Sequence, residues 1–468
     1  MKQNSMEQKH IQHLYNRAGF GINYKILNSI KSKSKKEIVS NLFSNAQKNV
    51  TLNIDISEFE IFKTKSEKQL KLELGREKIQ ELKKKSRKKI RELNYAWVKR
   101  FSENDTVLRE KMTLFWANVF VCRDNSILHI HQYNNVLREN SLGNFSCFVK
   151  AISKEPSMIK YLNLKQSVQK KPNENFAREL MELFTLGVGN YKEEDIKESA
   201  RAFTGYNFKK DGTFYLRENR HDFSEKTFFG KTGNFNGDDI IDIILEQRQC
   251  AKFICTKVYT YFINPKIDEN RLEEITAVFY KNYDINHLMY YIFNSDWYYN
   301  EENIGVKIKS PIELLVGIQT TIPFTFEKKQ RLSYLQKMMG QILFYPVNVA
   351  GWKGGRNWID CNTLMFRMKL AALLLNNAVI NLEEKGNFED SFDKYYKSTK
   401  KRKKYIKTVV NWNDFEKNYG QLSAIELQDL LITSTLDKDT QNLLDNLKIE
   451  SNKEFCVQLM SIPEYQLC

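Results

Sequence analysis

The stretch from Glu67 to Phe101 constrains the fold more than any other, because its pattern suits one kind of element. Its apolar residues are few: Ile79, Leu82, Ile90, Leu93, Trp97 and Phe101. They recur at steps of three, four or eight, which trace a thin seam along a helix. Lys, Arg and Glu fill the rest. The pattern predicts one long helix, mostly in water, that docks along one edge, packs fully only near Trp97 and could project from the body. Such a helix suits a phosphate backbone, but the glutamates interleaved with its lysines blunt the field.

Helical periodicity continues through most of the chain. It is clear in Thr106 to Phe120, Asn134 to Val149 with a break near Gly143, Glu193 to Phe203, Asp238 to Tyr261, Glu269 to Tyr283 and Ile285 to Phe293. Pro311 opens another helix, since its missing N–H costs nothing in a first turn. Asn207 to Gly237 has a different texture, with short alternating segments and Gly-containing turns that read as a small irregular or β-containing insertion. The chain is therefore expected to be mainly α, a compact multi-helix globular body. Residues 1–380 form its helical core, 381–407 a basic linker or exposed insertion, and 408–468 a C-terminal helical portion packed on the core.

A length of 468 residues with 13% aromatics is ample for a large core. The net charge of +16 invites a polyanion, whether nucleic acid, acidic glycan or membrane surface. Nucleic acid is disfavoured because much of the excess lies in Lys-rich runs that read as solvated faces. The seven cysteines show no CxxC pair, which argues against a structural zinc site or redox motif and suits buried thiols. No apolar run reaches membrane-spanning length and no signal peptide is visible, so the chain as written is expected to be cytoplasmic. Walker, dinucleotide-binding, serine-elbow and zincin motifs are missing too. His10 and His13, three apart on one helical face, fit packing better than metal. His129 and His131, one residue apart, would reach one metal from a strand but have no acidic neighbour.

The best candidate for a site is Lys171 to Gly187. Asn173 or Asn175 can cap its helix, and Gly187 can supply the left-handed stop. Phe176, Ala177, Leu180, Met181, Leu183 and Phe184 cover one side, while Asn175, Arg178, Glu179 and Glu182 share an arc of roughly 100° on the other. Three fates stand open for that patch: a solvated face, a buried network tying helices together, or acid/base and ligand chemistry. His221 and Asp222, adjacent in the irregular segment, are a second candidate pair, since loops carry convergent polar groups. Trp352 and Trp358, in a glycine-rich loop, either offer aromatic platforms or lock the loop onto its own core.

Several stretches in one order carry a resemblance. They are His13 to Gly21, Leu108 to Trp116, Pro172 to Gly187, Ala202 to Tyr206, His221-Asp222, Lys226 to Gly230, Lys309 to Leu314, Pro346 to Trp358 and the closing Pro463-Glu464-Tyr465-Gln466. Through them the chain resembles the bacterial domain-of-unknown-function 1800 family over nearly its whole length. The resemblance implies no reaction. It implies members that are often exported, and a possible partner in the domain-of-unknown-function 1501 family, which is similar to alkaline phosphatases and sulfatases and is often encoded nearby. Where the family commonly reads Trp-His-Asn-His-Phe, this chain has Trp116-Ala117-Asn118-Val119-Phe120, so both histidines are gone.

Together these readings give an expected pocket in which Glu179, Glu182, His221 and Asp222 do acid/base work. Asn173, Asn175, Arg178, Tyr206 and Lys226 bind substrate there, and Trp352 and Trp358 form a wall for a sugar ring. A hydrolytic or glycan-modifying reaction fits that pocket. The alternative is a non-catalytic helical scaffold for an anionic polymer or a partner protein. Metal and cofactor stay unassigned.

Overall fold

The computed structural model describes residues 5–48, 51–102, 106–378 and 406–468. Nearly all of the expected basic segment 381–407 lies outside them. The described chain is a multi-helix body with only small two-stranded sheets. One cluster of buried apolar side chains runs from Met6 in the first segment to Tyr465 in the last.

The long helix Glu67–Phe101 starts in a capping box, in which Ser66 and Gln69 satisfy each other's backbone amides. All six residues of its seam are buried, joined by Leu70, Ser86, Asn94 and Val98. It is broken once, at Gly75, which takes φ 73° and ψ 163° in open space, so two helices meet at a kink. Its packed half is fastened from the side: Asn94 and Gln336 exchange amide hydrogen bonds of 2.7 and 2.8 Å in the interior.

The insertion consists of two antiparallel hairpins. β1 (Tyr206–Phe208) pairs with β2 (Phe214–Leu216), and β3 (Lys226–Phe228) pairs with β4 (Lys231–Gly233). Farther on, β5 (Phe324–Phe326) pairs with β6 (Thr408–Val410), which ties the returning chain to the body. The strand imagined around His129 and His131 is instead part of the helix Ile127–Asn140. There His129 Nδ1 meets Asp124 at 3.3 Å and His131 Nε2 meets the Leu52 carbonyl at 2.6 Å. His13 packs against Tyr298, with ring centroids 4.8 Å apart. Of the cysteines, Cys147 and Cys361 are exposed and the other five are buried, so the expectation of buried thiols holds for five only.

Among the described residues, no helix is long and apolar enough to cross a membrane.

Candidate functional site

The central helix begins as read from the sequence and ends in a form that the sequence does not disclose. Asn173 caps it, its side-chain oxygen accepting from Asn175 N at 3.0 Å, and the α-helix Glu174–Glu179 follows. From Leu180 to Thr185 the helix widens into a π turn. Leu186 N reaches back five residues to Met181 O, and Thr185 Oγ1 reaches Leu180 O. Such turns are rare, and many occur at functional sites. Gly187 then stops the helix at φ 85°, where a Cβ would sit 2.9 Å from the Phe253 ring. Phe176, Ala177, Leu180, Met181 and Phe184 are buried, Asn175 is exposed, and Arg178, Glu179 and Glu182 are half-buried.

Arg178 is the hub of the first charged cluster. Its guanidinium lies 2.7 Å from Glu193, 3.2 Å from Glu174 and 3.6 Å from Glu182. The hydrogen bond that it donates to Glu193, with the neighbouring carboxylates, raises its pKa further. Tyr191 donates to Glu182 at 2.5 Å; burial and that bond push the phenol up to about 12. Glu179 stands apart, with no ion pair among the described residues. Burial first, and then the charge of Glu182, raise its pKa against the pull of Arg178.

The second cluster surrounds Asp222. Arg201 donates to it at 2.8 Å, holds Glu198 through two 2.8 Å bonds and reaches Ser224 at 2.5 Å. Burial opposes the charge on Asp222, but Arg201 and Ser224 outweigh it and bring the carboxyl down to about 2. His221 is buried, with Nδ1 2.8 Å from the Thr204 carbonyl, and Gly205 lies so close that a Cβ there would meet the Arg217 carbonyl at 2.7 Å. Lys226 is buried and donates to the carbonyls of Asp222 and Ser224 at 2.7 and 2.9 Å; burial lowers its pKa. Tyr206 is packed edge-on between Phe203 and Phe214.

The two clusters occupy opposite ends of the helix Glu193–Ala202, Glu193 serving one and Arg201 the other. Eight residues at about 1.5 Å each separate those partners by roughly 12 Å along the axis. Arg178 and Glu182 thus belong to one network and His221 and Asp222 to another, and among the described residues the Glu179 side chain joins neither. The aromatic loop belongs to a third place. Trp352 and Trp358 are both buried. Asn118 grips the loop through Trp352 N at 2.8 Å and Trp352 O at 3.0 Å, and Gly351 at φ 75° admits that grip because a Cβ would meet Asn118 Oδ1 at 2.3 Å. Trp352 also walls a small enclosed cavity beside Trp97, Ala117, Cys122 and Asn134.

Sequence reading missed the buried ionic groups. Glu110 accepts from Arg138 at 2.7 and 3.1 Å and from Trp97 Nε1 at 2.9 Å, all in the core. Glu313 accepts from Lys111 at 2.5 Å, Lys307 at 2.7 Å and Ser310 N at 2.7 Å. Arg17, Lys309 and Arg367 are buried too. The available signal was charge embedded in apolar helices, as in Val107 to Trp116 and Pro311 to Thr321. Among the described residues, no group of three or more His, Cys, Asp or Glu is placed to hold a metal.

No curated protein and no solved structure matches the chain. A family model described as "Protein of unknown function (DUF1800)" matches residues 13–467, nearly the whole length, and the chain belongs to that family.

Proposed function

We propose that this protein is a non-catalytic helical scaffold that binds an acidic polysaccharide along its long helix. The observation that carries the reading is a row of exposed cations without carboxylate partners. Lys84, Arg87, Lys88 and Arg91 fall within an arc of roughly 100° and about 10 Å of helix. All four are exposed, and among the described residues none makes an ion pair. Their neighbours are neutralised: Lys78 by Glu81, Lys85 by Glu58 and Glu81, and Lys89 by Glu92. Tyr95 continues the same face, with the Lys329 ammonium 5.2 Å from its ring centre, so an aromatic surface lies beside the charges. Glu77, Glu81 and Glu92 lower the charge density of the helix. That favours a polymer charged once per sugar or two over duplex nucleic acid, with its charge every ~1.7 Å.

The test is binding of polygalacturonate at several salt concentrations, for wild type and for a variant with Lys84, Arg87, Lys88 and Arg91 all changed to Gln. Wild type is expected to bind with steep salt dependence, and the variant to lose most of both. Equal binding by the two, or tighter binding of duplex DNA than of the glycan, would overturn the reading.

Glu179 favours a second reading, hydrolysis of such a polymer. A half-buried carboxylate without an ion pair and with a raised pKa is a reasonable general acid. Under that reading Glu179→Gln abolishes turnover of the bound glycan and leaves affinity unchanged; absence of turnover in wild type removes it.

A further inference from the structure

Along the helix Arg248–Phe262, Gln249, Phe253, Lys257 and Tyr261 follow one another at four-residue steps and so share one face. Both ends of that row are pinned. Gln249 Nε2 donates to Leu186 O at 3.1 Å, just past the π turn, and the Phe253 ring lies against Gly187. At the other end the Tyr261 ring packs 5.1 Å from Phe115, on the helix Val107–Val119. Lys257 stands one turn from each ring, on the face that meets both the π turn and that helix.

Lys257 differs from the lysines near it in having no carboxylate. Lys252 lies 3.8 Å from Glu269, Lys307 lies 2.7 Å from Glu313, and Lys111 lies 2.5 Å from the same carboxylate. Among the described residues the Lys257 ammonium makes neither an ion pair nor a hydrogen bond. What it touches is a ring: Nζ lies 4.6 Å from the centre of Phe253. The side chain is half-buried, and burial is the one influence on its pKa, which it lowers. A carboxylate would hold the amine protonated; apolar surroundings release the proton and leave a lone pair free to attack. The adjoining π turn is a second mark of the place, since such turns are often found at functional sites. An anionic ligand would call for further donors or a second cation beside the ammonium, whereas a ring face and a lone amine suit a neutral carbonyl compound.

We propose that Lys257 is a covalent binding site for a small aldehyde or ketone, which it captures as an imine beside the Phe253 ring. The Nζ lone pair adds to the carbonyl carbon. The carbonyl oxygen then departs as water with the two amine hydrogens, so nothing is oxidised or reduced.

The experiment uses the whole protein. Glycolaldehyde is supplied in limiting amount with cyanoborohydride, which reduces each imine to a stable alkylamine, and peptide mass spectrometry reads the extent of reaction at every lysine. At pH 7 Lys257 is expected to react faster than Lys252 of the same helix, by about tenfold for each unit that separates their pKa values. Unfolding in urea should abolish that advantage, and Lys257→Arg should remove the fast site while circular dichroism stays that of wild type. If Lys257→Arg does not fold, the rates on wild type still decide. Equal rates at Lys257 and Lys252, or an advantage that survives urea, would overturn the proposal. Sulfate that slows the reaction at Lys257 and at no other lysine would overturn it too, by making the place an anion site.

Discussion

The two buried ionic groups of the core differ in one respect. Around Glu110 every charge has an answer: Arg138 grips both carboxylate oxygens, Arg100 lies 3.1 Å away, and Asn134 and Asn135 accept from the rest of the Arg138 guanidinium. Around Lys309 and Arg367 the hydrogen bonds go to carbonyls and an amide, and among the described residues neither cation makes an ion pair, although the charges of Cys468 and Glu313 act on Lys309. The first group has a carboxylate at its centre, although Arg100 Nε and Asn134 Nδ2 make no hydrogen bond among the described residues. The second leaves Arg367 Nη1 and Gln466 Nε2 without a hydrogen-bond partner among the described residues, and the difference should be legible in stability.

The largest effect is expected at the first group. Glu110→Gln strands Arg138 in the core, and removing one member of a buried pair costs about 3–5 kcal/mol. Urea unfolding monitored by circular dichroism measures it. A loss below about 1 kcal/mol would mean that Arg138 is solvated in a way its burial denies.

A buried charge of the other sign comes next. Glu155 accepts one bond, from Gln132 at 3.2 Å, and its Oε2 has no partner. Burial raises its pKa to about 7, against the opposing hydrogen bond from Gln132. The folded state thus holds this proton more tightly than the unfolded chain does. Its contribution is fully present below the unfolded value of about 4.3 and is lost as pH rises through about 7. The loss is at most about 4 kcal/mol. Glu155→Gln should therefore be more stable than wild type at pH 8 and equal to it at pH 4; the same difference at both values would show that the proton is not involved.

The second group should respond less. Arg367→Met removes two hydrogen bonds together with a buried charge that makes no ion pair among the described residues, so the net cost is about 1 kcal/mol or less. A cost matching that of Glu110→Gln would erase the distinction between the two groups.

Local features were legible where short-range chemistry decides them. The seam of the long helix was readable because burial follows the helical period, and every predicted seam residue is buried. Asn173 and Gly187 were readable as cap and stop because their chemistry acts within a few residues. The kink at Gly75 was not, since a lone glycine in a charged helix is usually tolerated. Nor was the π turn, because choosing the fifth residue over the fourth depends on packing from outside the helix. The partners that divide the motif charges, Glu193 for Arg178 and Arg201 for Asp222, come from a separate helix, and no spacing rule connects them.

The smallest effect falls on the cation at the centre of the motif helix. Arg178 touches three carboxylates, yet its side chain is 36% exposed and that of Glu193 is 51% exposed. Water screens such pairs, which contribute about 0.2–1 kcal/mol each at most. Arg178→Ala is accordingly expected to cost about 1 kcal/mol in urea unfolding, well under Glu110→Gln. It should also raise the Glu179 pKa further, because Arg178 is the influence that lowers it. Carbon-detected NMR titration of the Glu179 carboxyl can follow that shift. A stability loss of several kcal/mol would mean that exposure fails to separate strong from weak ion pairs in this protein, and the motif helix would then have to be regarded as held in place by its charges instead of by Phe176, Leu180 and Phe184 beneath them.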